Sequence, residues 1–472
     1  MITYVEIDGF KTFHNFKMEF APLTVIAGVN ASGKSNLFDA LSLLSKLAET
    51  DLRTAYSEQR GDASELFTNY GIGVVDGSSF SAEEMHFVVE MLIDRTVRDN
   101  WGGEATLKYT RLRYELKIKR ETNSRGIDEL RVIFEKLTNL KHEGDRWLER
   151  AIDKKDIPKW RPSVKTGKRG IPYIDTIESN GTVTIRLPQD GRPGGKATPA
   201  NAVSQTVLSG VNSVDFPHVF AAKEEMLSWT FLQLNPQALR EPTRQDIGIR
   251  DSITQSGENL AATLFRLKAD DPSLLKDISR TLNRLLPQIV NVDVRDDKAN
   301  KQYVIEVTTD DDRTFSSRVL SEGTLRLLAL CILQFDDRHR GLICFEEPEN
   351  GIHPFRIKAT VDLLKNLTSD FSSEDYPLRQ VLVNTHSPVL VAEMFKQQDS
   401  HELEIFFSEL VAEITELGGR RVKLYVTKTL PVITPQDSNG QGVLPIEPEG
   451  KISFHRLKTY LATIESEKIL AG

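Results

Sequence analysis

Apolar residues recur along this chain in two rhythms, and several of the runs break off abruptly into polar motifs. Leu23 to Ala27 predicts a short buried strand, and Asn36 to Leu47 predicts a helix with Leu37, Phe38, Leu41, Leu44 and Leu47 on one side. Gly341 to Phe345 and Val381 to Asn384 predict two more buried strands. A second helix opens at Leu320-Ser321-Glu322-Gly323, with Ser321 as its N-cap, and carries its apolar face through Leu325, Leu328, Leu330, Ile332 and Leu333. Residues 257–286 also have helical spacing, through Leu260, Leu264 and Leu267, then Leu275, Ile278, Leu282 and Leu285.

Strict alternation marks a different region. From Thr106 to Lys119, Leu107 breaks the pattern; Leu112, Tyr114, Leu116 and Ile118 then oppose Arg111, Arg113, Lys117 and Lys119, as on a half-buried strand. Leu130 to Leu140 and Thr182 to Leu187 predict further strands, the latter after an Asn180-Gly181 turn. The Gly/Pro-containing segment Pro188 to Pro199 is expected to be flexible. A strand pair is expected over 289–308, another over Leu403 to Ile414 and Val422 to Thr427, and a closing helix near Phe454 to Leu470. No internal repeat and no heptad array is present.

Between the first strand and its helix lies Gly28-Val29-Asn30-Ala31-Ser32-Gly33-Lys34-Ser35, which fills every position of the phosphate-binding loop pattern in the strand-to-helix context that pattern requires. Glycines let backbone N–H groups from Asn30 to Asn36 curl around a triphosphate at a helix N-terminus. Lys34 is placed to reach the β/γ-phosphates of ATP, and the Ser35 hydroxyl to ligate Mg²⁺. Downstream, the Gly341–Phe345 strand ends in Glu346-Glu347-Pro348-Glu349, which puts carboxylates at a strand tip where open α/β sheets bind ligands. The Val381–Asn384 strand runs into Thr385-His386-Ser387-Pro388.

The order phosphate loop, Ser-x-Gly helix, Glu-Glu strand and His strand resembles the ATP-binding-cassette (ABC) ATPases. Glu346 to Pro354, Thr385 to Pro388 and the opening Ile7 to Phe13 are similar to the soluble branch that includes RecF, the SMC heads and the overcoming-lysogenization-defect nucleases. The resemblance covers residues 1 to about 50 and 205 to 395 well. It implies an α/β, two-lobed, SMC/RecF-head-like ATPase with a β-rich first lobe and no long coiled coil. It also implies that Glu346 holds Mg²⁺ with Ser35, that Glu347 is the general base, and that His386 senses the γ-phosphate. In that family Ser321 and Gly323 of one subunit close over the ATP bound by the other, so an ATP-sandwich dimer or higher oligomer is expected.

Two departures stand out. The magnesium-side carboxylate is Glu346 where the family has Asp, and no glutamine is plainly placed to complete the magnesium shell; Gln233, closing the run Phe231-Leu232-Gln233, is a candidate. The expected organisation is an N-terminal lobe over 1–250 with a β-rich insertion at about 75–200, a C-terminal ATPase lobe over 251–400, and a β pair with a helix over 401–472.

Composition narrows the setting. With 472 residues, 39% of them hydrophobic and 27% charged, the chain can bury a large core. Two cysteines, Cys331 and Cys344, argue against a disulfide framework, and no apolar run approaches a membrane span. Glu6 and Asp8 sit where a signal peptide needs its apolar stretch, so a cytoplasmic protein without a membrane partner is expected. A net charge of −8 restricts any DNA or RNA contact to a local patch. Lys154, Lys155, Lys159, Arg161, Lys165, Lys168 and Arg169, with Trp160 among them, are read as a mobile basic loop that either binds phosphates and stacks on a base or is plain solvated surface. No Asp-x-Asp pair follows His386, so a nuclease domain like that of the overcoming-lysogenization-defect proteins is not expected, and any cleaving activity belongs to another chain. The resemblance thus implies an ATPase acting as sensor or scaffold for a separate effector, a nuclease or toxin, in prokaryotic anti-phage defence. A RecF-like repair or recombination ATPase is the alternative, and a transporter motor a more distant one.

Overall fold

The computed structural model describes all residues except 73–78, 127, 144, 163–169, 180, 201–202, 247–251, 375, 399–401, 418–419, 434–451, 454–456, 458 and 460–472. Its centre is a seven-stranded sheet in the order Thr230–Leu232, Gly341–Glu346, Arg379–Thr385, Leu23–Gly28, Leu403–Leu417, Arg420–Ile433 and Ile452–Ser453. The first five strands are parallel, and the Leu403–Leu417 and Arg420–Ile433 strands form an antiparallel hairpin. Registers align the C-terminal ends, with Leu232 beside Phe345, Glu346 beside Asn384, and Thr385 beside Ala27. Both faces of this sheet are covered, which is why its strands are continuous apolar runs. Ile26, Leu382 and Cys344 share one core with Leu37, Leu41 and Leu44 of the Lys34–Leu47 helix. Val25, Ile343 and Val383 face the other way, onto Leu325, Leu328 and Ile332 of the Glu322–Phe335 helix. Each such fully buried leucine is worth about 1.5–3 kcal/mol relative to exposure.

The predicted helical region 257–286 resolves into Leu260–Asp270 and Ser273–Leu285, and the strand pair after it into Ile289–Asp297 and Gln302–Thr309. A five-stranded antiparallel sheet, in the order Asp128–Asn139, Arg111–Thr122, Glu84–Leu92, Ile2–Asp8 and Phe16–Glu19, lies against the phosphate-loop helix through the same core. Leu112, Tyr114, Leu116 and Ile118 are buried, as the alternation predicts. Among the described residues, no helix is long and apolar enough to cross a membrane.

Four expectations need correction. The run from Thr106 to Lys119 is two pieces, a short strand Glu104–Thr106 paired with Thr96–Arg98, and the long strand beginning at Arg111. Arg111 is 3% exposed, its guanidinium bonded through two nitrogens to Asp145 at 2.9 and 3.0 Å, because the helix Arg146–Ala151 covers this end of the polar face. Pro188 to Pro199 is not a flexible segment: Arg192–Pro199 pairs with Thr182–Gln189 as an edge strand, a sheet position that tolerates proline. The basic segment is partly helical over Ile157–Trp160, where Pro158 sits in the first turn and starts the helix instead of breaking it. Trp160 is buried, its ring edge-on to Phe371 at 5.6 Å and its N–H donating to the Phe371 carbonyl at 2.8 Å, so it is unavailable for stacking on a base. Lys165, Lys168 and Arg169 lie outside the described residues, as does most of the closing helix expected over 454–470.

Candidate functional site

The phosphate loop joins the Leu23–Gly28 strand to the Lys34–Leu47 helix, and its glycines are dictated by close packing. A Cβ on Gly28 would stand 2.4 Å from the Ser408 carbonyl oxygen. On Gly33, which has φ +89°, it would stand 1.8 Å from Thr427 Oγ1. Those neighbours come from the C-terminal hairpin, and the Ser408 and Thr427 hydroxyls donate to the Ser32 carbonyl at 3.1 and 3.2 Å. Thr12, from the turn before the loop, meets Thr427 at 2.6 Å and accepts from Asn36 Nδ2 at 2.7 Å. Asn30 and Ala31 form the exposed crest. The Lys34 ammonium is held inside the loop, donating to the carbonyls of Gly28 at 2.8 Å and Val29 at 2.6 Å.

The two acidic and histidine strands end beside this loop. The Ser35 hydroxyl sits beside the Glu346 carboxyl and accepts from Asn384 Nδ2 at 3.3 Å. Burial pushes the Glu346 carboxyl above its ordinary range, while the nearby Arg60 guanidinium and the Ser35 hydroxyl pull it back. His386 Nδ1 lies 2.6 Å from Glu347 Oε1, and Asn350 Nδ2 donates to Glu347 Oε2 at 2.6 Å, so both oxygens of this carboxylate are held. Glu347 adopts φ +47°, a left-handed conformation secured by its N–H to the Asn384 carbonyl at 2.8 Å and by Asn350 N–H to its own carbonyl at 3.1 Å. Gln233, at the tip of the Thr230–Leu232 strand, lines a cleft of about 120 Å³ with Glu346, Asp39, Arg60 and Gln255.

Ser321 and Gly323 pack against the far end of the acidic turn. Ser321 caps its helix as predicted, accepting from Thr324 N–H at 3.2 Å, and Gly323 lies against the Gly351 carbonyl, which a Cβ would approach to 2.6 Å. Among the described residues, the Ser321–Gly323 turn makes no hydrogen bond to the phosphate loop of its own chain.

The oxygens around Ser35 suit a hard divalent cation. The donor set is the Ser35 hydroxyl and the Glu346 carboxylate; the Asn384 amide adjoins them with its Nδ2 on the hydroxyl, and its Oδ1 is buried with no hydrogen-bond partner among the described residues. Ser35 and Glu346 therefore fit Mg²⁺, with Asn384 adjoining. Asn384, Thr12, Ser408 and Thr427 were not singled out from the sequence. Two left a trace there, Thr12 within the Ile7–Phe13 segment and Asn384 as a polar residue at the end of an apolar strand.

Comparison with known proteins places this geometry in a family. The profile of the family described as "AAA domain, putative AbiEii toxin, Type IV TA system" matches residues 23–392. No curated protein matches the chain. Among solved structures, an SMC head bound to the C-terminal winged-helix domain of ScpA is 14% identical, with a TM-score of 0.45, over 91% of this chain and 97% of that one. An Smc head with an extended coiled coil from Pyrococcus furiosus, bound to the C-terminal domain of ScpA, gives 13% identity and 0.42 over 91% and 96%. The SMC head of Thermotoga maritima gives 13% and 0.36 over 92% and 99%. Because the family match runs from the phosphate-loop strand into the helix that follows His386, the chain belongs to the AbiEii-type AAA-domain family, here on a mixed α/β fold.

Proposed function

We propose that the chain binds and hydrolyses ATP at a composite site shared by two copies, and that it is the sensor or scaffold subunit of a prokaryotic anti-phage defence system controlling a separate effector. The observation that carries the hydrolytic reading is the Glu347–His386 pair at 2.6 Å, set on the strand edge beside the phosphate loop. Backbone N–H groups from Asn30 to Asn36 and the Lys34 ammonium bind the phosphates, Lys34 exchanging its loop carbonyls for phosphate oxygens. Ser35 and Glu346 would hold Mg²⁺, which supplies charge neutralisation at the β- and γ-phosphates. Glu347, with both oxygens fixed, takes the proton of the attacking water, and His386 orients that carboxylate and meets the γ-phosphate. Ser321 and Gly323 of the second copy close the site with a helix N-terminus, whose partial positive charge favours the phosphate tail. Among the described residues the Ser321–Gly323 turn makes no hydrogen bond to the phosphate loop of its own chain, which fits a site completed in trans.

The family description names a toxin of a type IV toxin–antitoxin system, which supports a role in defence. Lys34→Ala tests the nucleotide assignment: ATP affinity should be lost, and an unchanged affinity measured by calorimetry contradicts it. Affinity purification together with the products of neighbouring genes tests the effector, which should co-elute.

A further inference from the structure

Glu347 is not the only carboxylate of its turn that reaches the histidine strand. Glu349, two residues on, is 9% exposed, and its Oε1 accepts a hydrogen bond from the Thr385 hydroxyl. Thr385 Oγ1 in turn accepts from the Ser387 N–H at 2.9 Å, so a single hydroxyl is used in both directions. Thr385 and Ser387 flank His386. One turn therefore grips one tripeptide twice, Glu347 at the imidazole and Glu349 at the Thr385 hydroxyl, which itself holds the Ser387 N–H. The grip is braced at its base, where Ile352 N–H donates to the Glu349 carbonyl at 2.9 Å.

This arrangement is costly if it serves packing alone. Among the described residues no donor reaches Glu349 Oε2, although the atom is buried. A buried carboxylate with one oxygen unsatisfied is less favourable than an apolar pair of the same shape. What the pair adds over an apolar contact is direction, since a hydrogen bond fixes the strand-end backbone in a way that a methyl contact does not. We propose that Glu349 is a positioning residue for hydrolysis: through the Thr385 hydroxyl it fixes the Thr385–Ser387 backbone and thereby sets the imidazole of His386 against Glu347. The inference rests on the hydrolytic reading of Glu347 and His386, and it assigns Glu349 no contact with nucleotide.

The test is steady-state ATP hydrolysis and ATP binding by the full chain in four variants. Glu349→Leu removes the acceptor while filling its space, and Thr385→Val removes the donor at nearly constant volume. Each should lower kcat by about 10- to 100-fold, the scale of a misplacement near 1 Å, with ATP affinity within about twofold of wild type. The double variant should be no worse than either single one, because both break the same contact. Glu349→Gln and Thr385→Ser keep the acceptor and the hydroxyl and should retain most of the rate. Wild-type kcat in folded Glu349→Leu or Thr385→Val overturns the inference, as do losses that multiply in the double variant. So does a rate lost equally in the two conservative variants. Should Glu349→Leu fail to fold, Thr385→Val reads the same contact from its other end. A wild-type chain that binds ATP without hydrolysing it overturns the hydrolytic reading and this inference together, whereas an active wild type with an unaffected Thr385→Val overturns the inference alone.

Discussion

Replacing Glu135 by Gln should remove a pH dependence from the stability of the lobe that braces the phosphate-loop helix. Glu135 is fully buried, and its carboxylate accepts from the N–H groups of Val207 at 2.6 Å and Leu208 at 2.8 Å and from the Tyr114 hydroxyl at 3.1 Å. The turn it holds is tied to the helix, because the Thr206 hydroxyl donates to the carbonyl of Leu47 at 2.8 Å. Burial outweighs these three donors and pushes the carboxyl from its ordinary 4.5 up to about 7. Between those values the folded chain keeps a proton that the unfolded chain has released, so stability falls as pH rises through the window. Each pKa unit corresponds to about 1.4 kcal/mol, and the loss between pH 5 and pH 8 comes to about 2–3 kcal/mol. The assay is urea unfolding of wild type and Glu135→Gln at pH 5, 6, 7 and 8. Other titrating groups are common to both chains and cancel in the difference. The wild type should lose about 2–3 kcal/mol relative to the variant across this range. Parallel curves would refute the reasoning and show that the three donors hold the carboxylate ionised.

Gly33→Ala should lose ATP binding and cost the fold more than the roughly 1–2 kcal/mol of a left-handed alanine, because the new Cβ meets Thr427 Oγ1 at 1.8 Å; wild-type melting and affinity would contradict that packing. Mixing Lys34→Ala chains with Ser321→Arg chains leaves one of two shared sites with both halves intact, so part of the activity should return. No recovery, once mixed dimers are verified by mass spectrometry, counts against sites completed in trans.

The parts of the site that were legible in the sequence are those built from one short segment each. Leu23–Gly28 with its loop, Gly341–Glu346 with Glu347, and Arg379–Thr385 with His386 are apolar runs ending in a motif, and a doubly covered parallel sheet requires that pattern. The enclosure of the loop was not legible. Thr427 meets Thr12 across 415 positions and Ser408 reaches Ser32 across 376, contacts that no local period encodes. Thr385 and Glu349 were visible as letters, yet their hydrogen bond depends on two strands lying side by side. Trp160 was misread for the same reason, since its partner Phe371 lies 211 positions away. Composition marked that segment as basic and mobile, and over Ile157–Trp160 tertiary packing decided otherwise. Arg192–Pro199 shows the complementary failure, where glycine and proline mark a sheet edge and not a flexible segment.

The central claim is that Glu347 supplies the base at a site whose ATP binding depends on other groups. Phosphate release and ATP affinity, measured side by side for wild type and Glu347→Gln at saturating magnesium, test it most directly. The account predicts affinity within a fewfold of wild type and turnover reduced by about 100-fold or more. Turnover in Glu347→Gln equal to that of wild type would contradict it.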